Sequence, residues 1–401
     1  MRLIRAHHPQ WTGHLLISTT DDQVHHQEHG DKGRYTLRQD RLTVYWETYA
    51  PEVFVRRAED DSFVFAERLA AAPTTPQAVT LDSNAPPLDY LVLTTQTPLN
   101  ALVRLQSQPL LQGLASLGWR TRFHHYPHGT PVTVPPASAI IVHYLDPDAL
   151  TRAAALKALC GARLYCLSSD IYDIDTYTRI APLADAFFAP TPLHAELLRA
   201  AQTKPVFVLP EAIDPIAQPT DGTILPPAAT DRLCWFGYPE SFAKSCRHLL
   251  PHALDDAEFP AEKLALITAP NVSLLAGAEH IPFSPERFYT ATAPFRYALL
   301  SHFVFDNHIN TFIKSPNKLV TALARGLAPV ASNTIHYRPL MREYGLENWM
   351  FSSPHELATL LRKIKTGAAP DPRLLRLAAE DLRAQLAPER LARQFLAATL
   401  D

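Results

Sequence analysis

Residues 310–332, NTFIKSPNKLVTALARGLAPVAS, decide how the chain is read. A polar loop ending in Lys314-Ser315-Pro316-Asn317 runs into an apolar helix over 318–325. Gly326 ends that helix, and a short buried strand over 328–331 follows. Ser315 is placed to cap the helix, and Pro316 falls in the first turn, which tolerates a missing N–H. Gly326 suits the left-handed position after a helix C-terminus. Such a loop points unpaired backbone N–H groups outward and favours a phosphate in front of them. Lys314 and Lys318 add positive charge at the same place. Spacing alone favours a plain capped helix of an α/β sheet.

Working outward, 401 residues exceed one core, so two or three domains are expected. A hydrophobic content of 47% with 19% charged residues describes a soluble globular protein. The net charge of −3 argues against nucleic acid or an anionic membrane as the main partner. Cys160, Cys166, Cys234 and Cys246 form no CxxC pair and read as buried reduced thiols, which suits a cytoplasmic protein. The opening MRLIRAHHPQW has no long apolar run, so no signal peptide is expected, and no stretch is long and apolar enough for a membrane span.

Residues 1–72 read as a small β-rich domain. Two alternating runs flank Arg38-Gln39-Asp40, which predicts a hairpin. Trp11, Tyr45, Trp46 and Tyr49 serve either a sugar-stacking face or the core of a small sheet, and the core is the commoner use. His7, His8, His14, His25, His26 and His29 show no metal-ligand spacing and are read as loop residues, so no metal is expected. Residues 73–87, PTTPQAVTLDSNAPP, form a proline-rich linker. Beyond it, strands and helices alternate, which predicts parallel, doubly wound α/β sheets binding ligands at the C-terminal strand ends. A helix over 99–117 closed by Gly118, a strand ending at His143 and a helix over 373–400 are among these elements.

The spelling SPNKLVTALARGLAPVAS resembles the loop–helix–Gly–strand segment in the C-terminal domain of GT-B glycosyltransferases. LADAFFAPTPLHAELL followed by KPVFVLPEAID resembles the close of the N-terminal domain in that superfamily, with Asp214 at the hinge. Residues 232–244 resemble its first C-terminal strand and glycine loop, with Gly237 in the loop and Lys244 at a helix start in the phosphate-binding place. The resemblance covers roughly 88–400 and is strongest in the last third. It implies two Rossmann-like domains, 88–214 on the acceptor side and 215–375 on the donor side, and a helix over 376–401 crossing back to the first. Two departures matter. The mid-helix Glu that grips the nucleotide ribose in relatives is Thr321 here, and a second, earlier Glu falls near Ile313.

The resemblance also implies a function: transfer of a sugar from a nucleoside-diphosphate sugar to a glycan, lipid or protein, with retention, without cofactor or metal. A lipid acceptor brings peripheral membrane association, and the β-rich domain is expected to serve acceptor recognition or assembly. Breaking the sugar–phosphate bond builds negative charge on the leaving diphosphate, so N–H groups and cations aimed there matter most. Gly237, Lys244, Asn310, Ser315, Asn317, Lys318 and Thr321 are the expected donor-binding set. His143, Asp170, Asp306 and His308 are the catalytic candidates, with Asp173 and Asp175 beside Asp170. A lone strand-end histidine also fits a hydrogen-bonded core residue, and loop aspartates also cap helices. The alternative is a catalytically inactive GT-B-like protein that binds a nucleotide sugar or glycan.

Overall fold

The computed structural model describes residues 2–8, 11–17, 23–26, 32–38, 41–46, 52–57, 62–68, 79–127, 130–144, 146–169, 180–217, 230–270, 273–302 and 310–399. Two compact units divide the chain, Met1–Ala78 and Val79–Asp401.

In the first unit seven strands, Arg2–His8, Trp11–Ile17, Gln23–His26, Lys32–Arg38, Arg41–Trp46, Glu52–Arg56 and Phe63–Arg68, close into a barrel in chain order. Neighbours run antiparallel, and the first and last strands pair in parallel, Ala6 opposite Phe63. The expected hairpin is present, with Arg38 opposite Arg41. Ile4 and Ala6, Leu15 and Ile17, Leu42 and Val44 fill the interior at the two-residue period of a strand. The histidines correct the sequence reading. His7, His8, His14, His25 and His26 lie in strands rather than loops, and His29 lies outside the described residues. A barrel strand has a polar outer face, so histidines such as His7 and His14, next to inward Ala6 and Leu15, do not exclude it. The side chains of Trp11, Tyr45 and Trp46, and all of Tyr49, lie outside the described residues.

The second unit holds two six-stranded parallel sheets. The first has the order Thr121–His125, Leu88–Thr94, Ala137–His143, Arg163–Leu167, Ala186–Ala189, Val206–Val208, or 2-1-3-4-5-6 in its own chain order. The second runs Glu279–Pro282, Leu264–Thr268, Leu233–Phe236, Tyr297–Leu300, Ala328–Ser332, Met350–Phe351, which is 3-2-1-4-5-6. Its inner strands are buried on both faces, hence apolar runs such as Leu-Cys-Trp-Phe and Tyr-Ala-Leu-Leu instead of alternation. The proline-rich run read as a linker to residue 87 contains a strand of this unit. Val79–Leu81 pairs in parallel with Val132–Val134.

Residues from late in the chain complete the first sheet. Ile313 packs among Leu91, Ile140 and Phe187 on one face, and Phe395 among Tyr90, Tyr165 and Phe188 on the other. Phe395 belongs to the helix Pro388–Thr399. The periodicity over 373–400 predicts one helix, but two form, Pro372–Gln385 and Pro388–Thr399, because Pro388 has no N–H to continue the first. The last helix lies against Gln108–Ser116, where a Cβ on Gly113 would meet the Pro388 carbonyl oxygen at 2.0 Å. Only glycine permits that approach.

Candidate active site

The strand order of the second sheet reverses between Leu233–Phe236 and Tyr297–Leu300, and such a switch point opens a crevice at the C-terminal strand ends. Gly237 follows the first of these strands and Ser301-His302 the second. Gly237 has φ +154°, and a Cβ there would stand 2.6 Å from Lys318 Nζ and 3.1 Å from the Trp235 ring. The missing side chain is therefore what lets the lysine reach this strand end. Lys318 belongs to the helix Asn317–Ala324, whose apolar face, Leu319, Val320, Ala322 and Leu323, is buried in the core of the second sheet. Its ammonium lies over the Trp235 ring, 5.1 Å from the centroid, and is shut off from solvent with no hydrogen-bond partner among the described residues. Burial, with Lys314 nearby, pulls its pKa down to about 8, while the Cys246 sulfur acts in the opposite direction. An unpaired buried ammonium is costly, and an anion beside it would offset that cost.

The walls are held by side chains that the sequence reading passed over. Ser301 Oγ donates to the Ser245 carbonyl at 2.8 Å, and the His302 N–H donates to Ser332 Oγ at 3.0 Å. The His302 ring packs on Tyr337 with centroids 5.3 Å apart. Burial pushes the Cys246 thiol up to about 11, so it stays protonated near neutrality. His302 gives no clear signal in the sequence, because LLSHFVF reads as an apolar strand carrying one histidine.

Of the predicted donor-binding set, the structure brings Gly237 and Lys318 together. Lys314, Ser315 and Asn317 are half-buried beside them. Ser315 is not the cap. Pro316 takes that position, with no side-chain cap bond, and Asn317 is the first helical residue. Gly326 has the expected left-handed φ, +82°. Thr321 is buried one turn beyond Lys318. Asn310 opens a short helix, Asn310–Ile313, and its side chain is outside the described residues. Lys244 departs from its expected place. The helix starts at Pro239 rather than at Ser245, so Lys244 stands exposed in the last turn of Pro239–Ser245, at a helix end unfavourable to anions.

Among the catalytic candidates, Asp170, Asp306 and His308 lie outside the described residues, as do Asp173 and Asp175. His143 ends its strand as expected. It is buried, with Nε2 3.2 Å from Ser107 Oγ and Nδ1 without a partner among the described residues. Burial takes its pKa down to about 4, so it is neutral at physiological pH. Ser107 closes a π-helical turn, Val103–Ser107, inside the helix predicted over 99–117. The same turn ties the first sheet to the segment that follows its last strand. Arg104 makes paired bonds to Asp214 at 3.1 and 2.9 Å, and Ala212 N donates to the Leu105 carbonyl. Beyond His143, Asp146 accepts from Thr94 Oγ1 and from both Thr95 N and Oγ1, and caps the helix Pro147–Cys160 through Ala149 N. Asp146 is thus the acidic cap, two residues before the expected helix start at Asp148.

No protein-family model matches the sequence, and no curated protein does. The structure is similar to solved ones. HepE of Anabaena in complex with UDP and glucose superposes with a TM-score of 0.55 at 14% identity, over 78% of this chain and 99% of that one. HepE in complex with UDP-glucose superposes with 0.54 at 12% identity, over 80% and 99%. This chain has the GT-B fold. In GT-B terms the Gly237–Lys318 contact lies in the C-terminal Rossmann-like layer and His143 in the N-terminal one. Among the described residues, no group of three or more His, Cys, Asp or Glu side chains could hold a metal ion, and no helix is long and apolar enough to cross a membrane.

Proposed function

We propose that the protein is a glycosyltransferase that takes a sugar from a nucleoside-diphosphate sugar, the diphosphate lying against Lys318 and Gly237. The observation that carries this reading is the buried Lys318 ammonium, unpartnered among the described residues, at the switch point of a Rossmann-like sheet. The likeness to HepE, a protein solved with UDP and with UDP-glucose, supports it. In the reaction the bond from the sugar's anomeric carbon to phosphate oxygen breaks, and a bond to the acceptor oxygen forms. Lys318, Lys314 and the N–H groups of the 315–317 loop stabilise the charge left on the diphosphate. The acceptor, a glycan, lipid or protein, approaches from the first sheet, where His143 presents a neutral imidazole. Its hydroxyl proton passes to the leaving phosphate oxygen if the configuration is retained. Asp170, Asp306 and His308 remain the candidates for orienting the two sugars.

One observation favours a second reading, a GT-B-like protein that binds a nucleotide sugar without transferring it. Neither of the two acidic positions of the family motif carries an acid. Thr321 is a buried hydroxyl, and Ile313 is plugged into the first sheet. Incubation with a panel of nucleoside-diphosphate sugars separates the readings. Released sugar or transferred product establishes the enzyme, and tight binding with no turnover of any donor establishes the binding protein. Calorimetry on Lys318→Met tests the site itself, with a tenfold to hundredfold loss of UDP affinity expected for one charged hydrogen bond.

A further inference from the structure

Lys318 is not the only orphan at this switch point. His302 Nε2 and Tyr337 Oη are also buried and have no hydrogen-bond partner among the described residues. The three groups come from three elements: the helix Asn317–Ala324, the turn after Tyr297–Leu300, and the helix Tyr337–Glu343. The imidazole is held rigidly, its backbone N–H on Ser332 Oγ and its ring on Tyr337. The charges that face it are Lys318 and Lys314 from the loop and helix, and His336 from the element carrying Tyr337. Lys318 in turn faces Lys314 and the Cys246 thiol, and Tyr337 faces Cys246. Among the described residues none of these facing groups is a carboxylate, so those around His302 are cations and neutral donors.

Resting on the diphosphate reading above, we propose that the pocket takes up a proton as the diphosphate enters, and that His302 Nε2 receives it. Without ligand, burial and neighbouring cations hold the imidazole neutral, its pKa well below the usual histidine value. A diphosphate placed between Lys318 and His302 reverses the sign of the local field and offers an oxygen to the orphan nitrogen. The charged imidazole then becomes the favoured form. Tyr337 Oη supplies a further donor to the same oxygens. The proton comes from solvent, so affinity for the diphosphate rises as pH falls across the interval between the free and bound pKa values, by up to about tenfold per pH unit.

Proton uptake is read by calorimetry at pH 7 in buffers of different ionisation enthalpy, with UDP and with inorganic pyrophosphate as probes. At that pH Lys318 already carries its proton, so the uptake isolates the imidazole. The difference between wild type and His302→Asn cancels the titration of the probe's own phosphates. We expect the wild type to take up about one proton more than His302→Asn, which keeps a hydrogen-bond donor but cannot titrate. Equal uptake by the two, with UDP bound by both, overturns the proton-linked site and leaves the nucleotide reading standing. His302-dependent uptake with pyrophosphate and no UDP binding supports the anion site and overturns the nucleotide reading. Absence of binding by either probe overturns both. If His302→Asn fails to fold, His302→Gln serves in its place, with circular dichroism reporting the fold.

Discussion

Thr191 Oγ1 donates a hydrogen bond to the Ile313 carbonyl at 3.0 Å, tying the first sheet's layer to the residue just before the Lys314–Lys318 loop. Thr191 also caps the helix Pro192–Ala201 by accepting from His194 N. One hydroxyl therefore fixes both a helix start and the approach to the anion site. Thr191→Val is expected to cost about 1–3 kcal/mol, combining a lost cap with a lost hydrogen bond, and Thr191→Ser to restore most of it. Urea unfolding of the three proteins measures this.

Ile313→Ala removes a fully buried side chain from the first sheet's interior, and about 2–4 kcal/mol of stability should go with it. Because Lys314 follows directly, UDP affinity should fall too, although residue 313 carries no charge. An unchanged dissociation constant in the folded variant would separate the loop from the layer beneath it.

The Lys318 ammonium makes stability depend on pH in an unusual direction. Its native pKa, about 8, lies below the ordinary lysine value, so between those limits the unfolded chain binds a proton that the native protein does not. Stability therefore rises with pH from about 8 toward 10, by up to roughly 3 kcal/mol for this group. Lys318→Met should remove that slope and raise stability at pH 7 while weakening diphosphate binding tenfold to roughly a hundredfold. Denaturant melts of both proteins between pH 7 and 9.5 decide it.

Gly237→Ala places a methyl where the ammonium now sits, at a backbone angle that L side chains rarely adopt. Diphosphate affinity should drop tenfold or more while the Lys318→Met background shows little further loss, a pattern a double-mutant cycle reads directly.

Acid should weaken the fold through two histidines of the first layer. His143 and His194 both titrate near 4 because burial disfavours their charged forms. The unfolded chain therefore binds more protons between about pH 4 and 6.5. Stability is complete above that window and falls through it, by about 3 kcal/mol per histidine at most. His194→Gln should flatten the slope, as followed by unfolding at pH 5 and 7.

Local chemistry made much of this fold readable. Gly326 announces the end of its helix, and the apolar runs announce buried parallel strands, because both are imposed by backbone geometry at the residue itself. The burial of Lys318 was not readable, since it depends on Trp235 and Gly237 lying some eighty residues away. Lys244 was misplaced by one helix, because Pro239 starts a helix that a glycine loop was expected to fill. Strands Arg2–His8 and Gln23–His26 were hidden because Leu3-Ile4 and His25-His26 blur the alternation that marks a half-buried strand. His302 was passed over for a related reason: a single histidine in an apolar run says nothing of what will face it.

The packing of Ile313 and Phe395 also bears on how the protein is made. All six strands of the first sheet have left the ribosome once residue 208 is clear, yet one face still lacks Ile313 and the other Ala392 and Phe395 of the final helix. At roughly 5–20 residues per second, on the order of ten seconds or more passes before Phe395 is synthesised. Through that interval the nascent sheet has its earlier helices but not these late residues, and one face leaves open the bed of the final helix. A ribosome stalled before residue 388 should therefore display a protease-sensitive first layer, and release of the finished chain should close it.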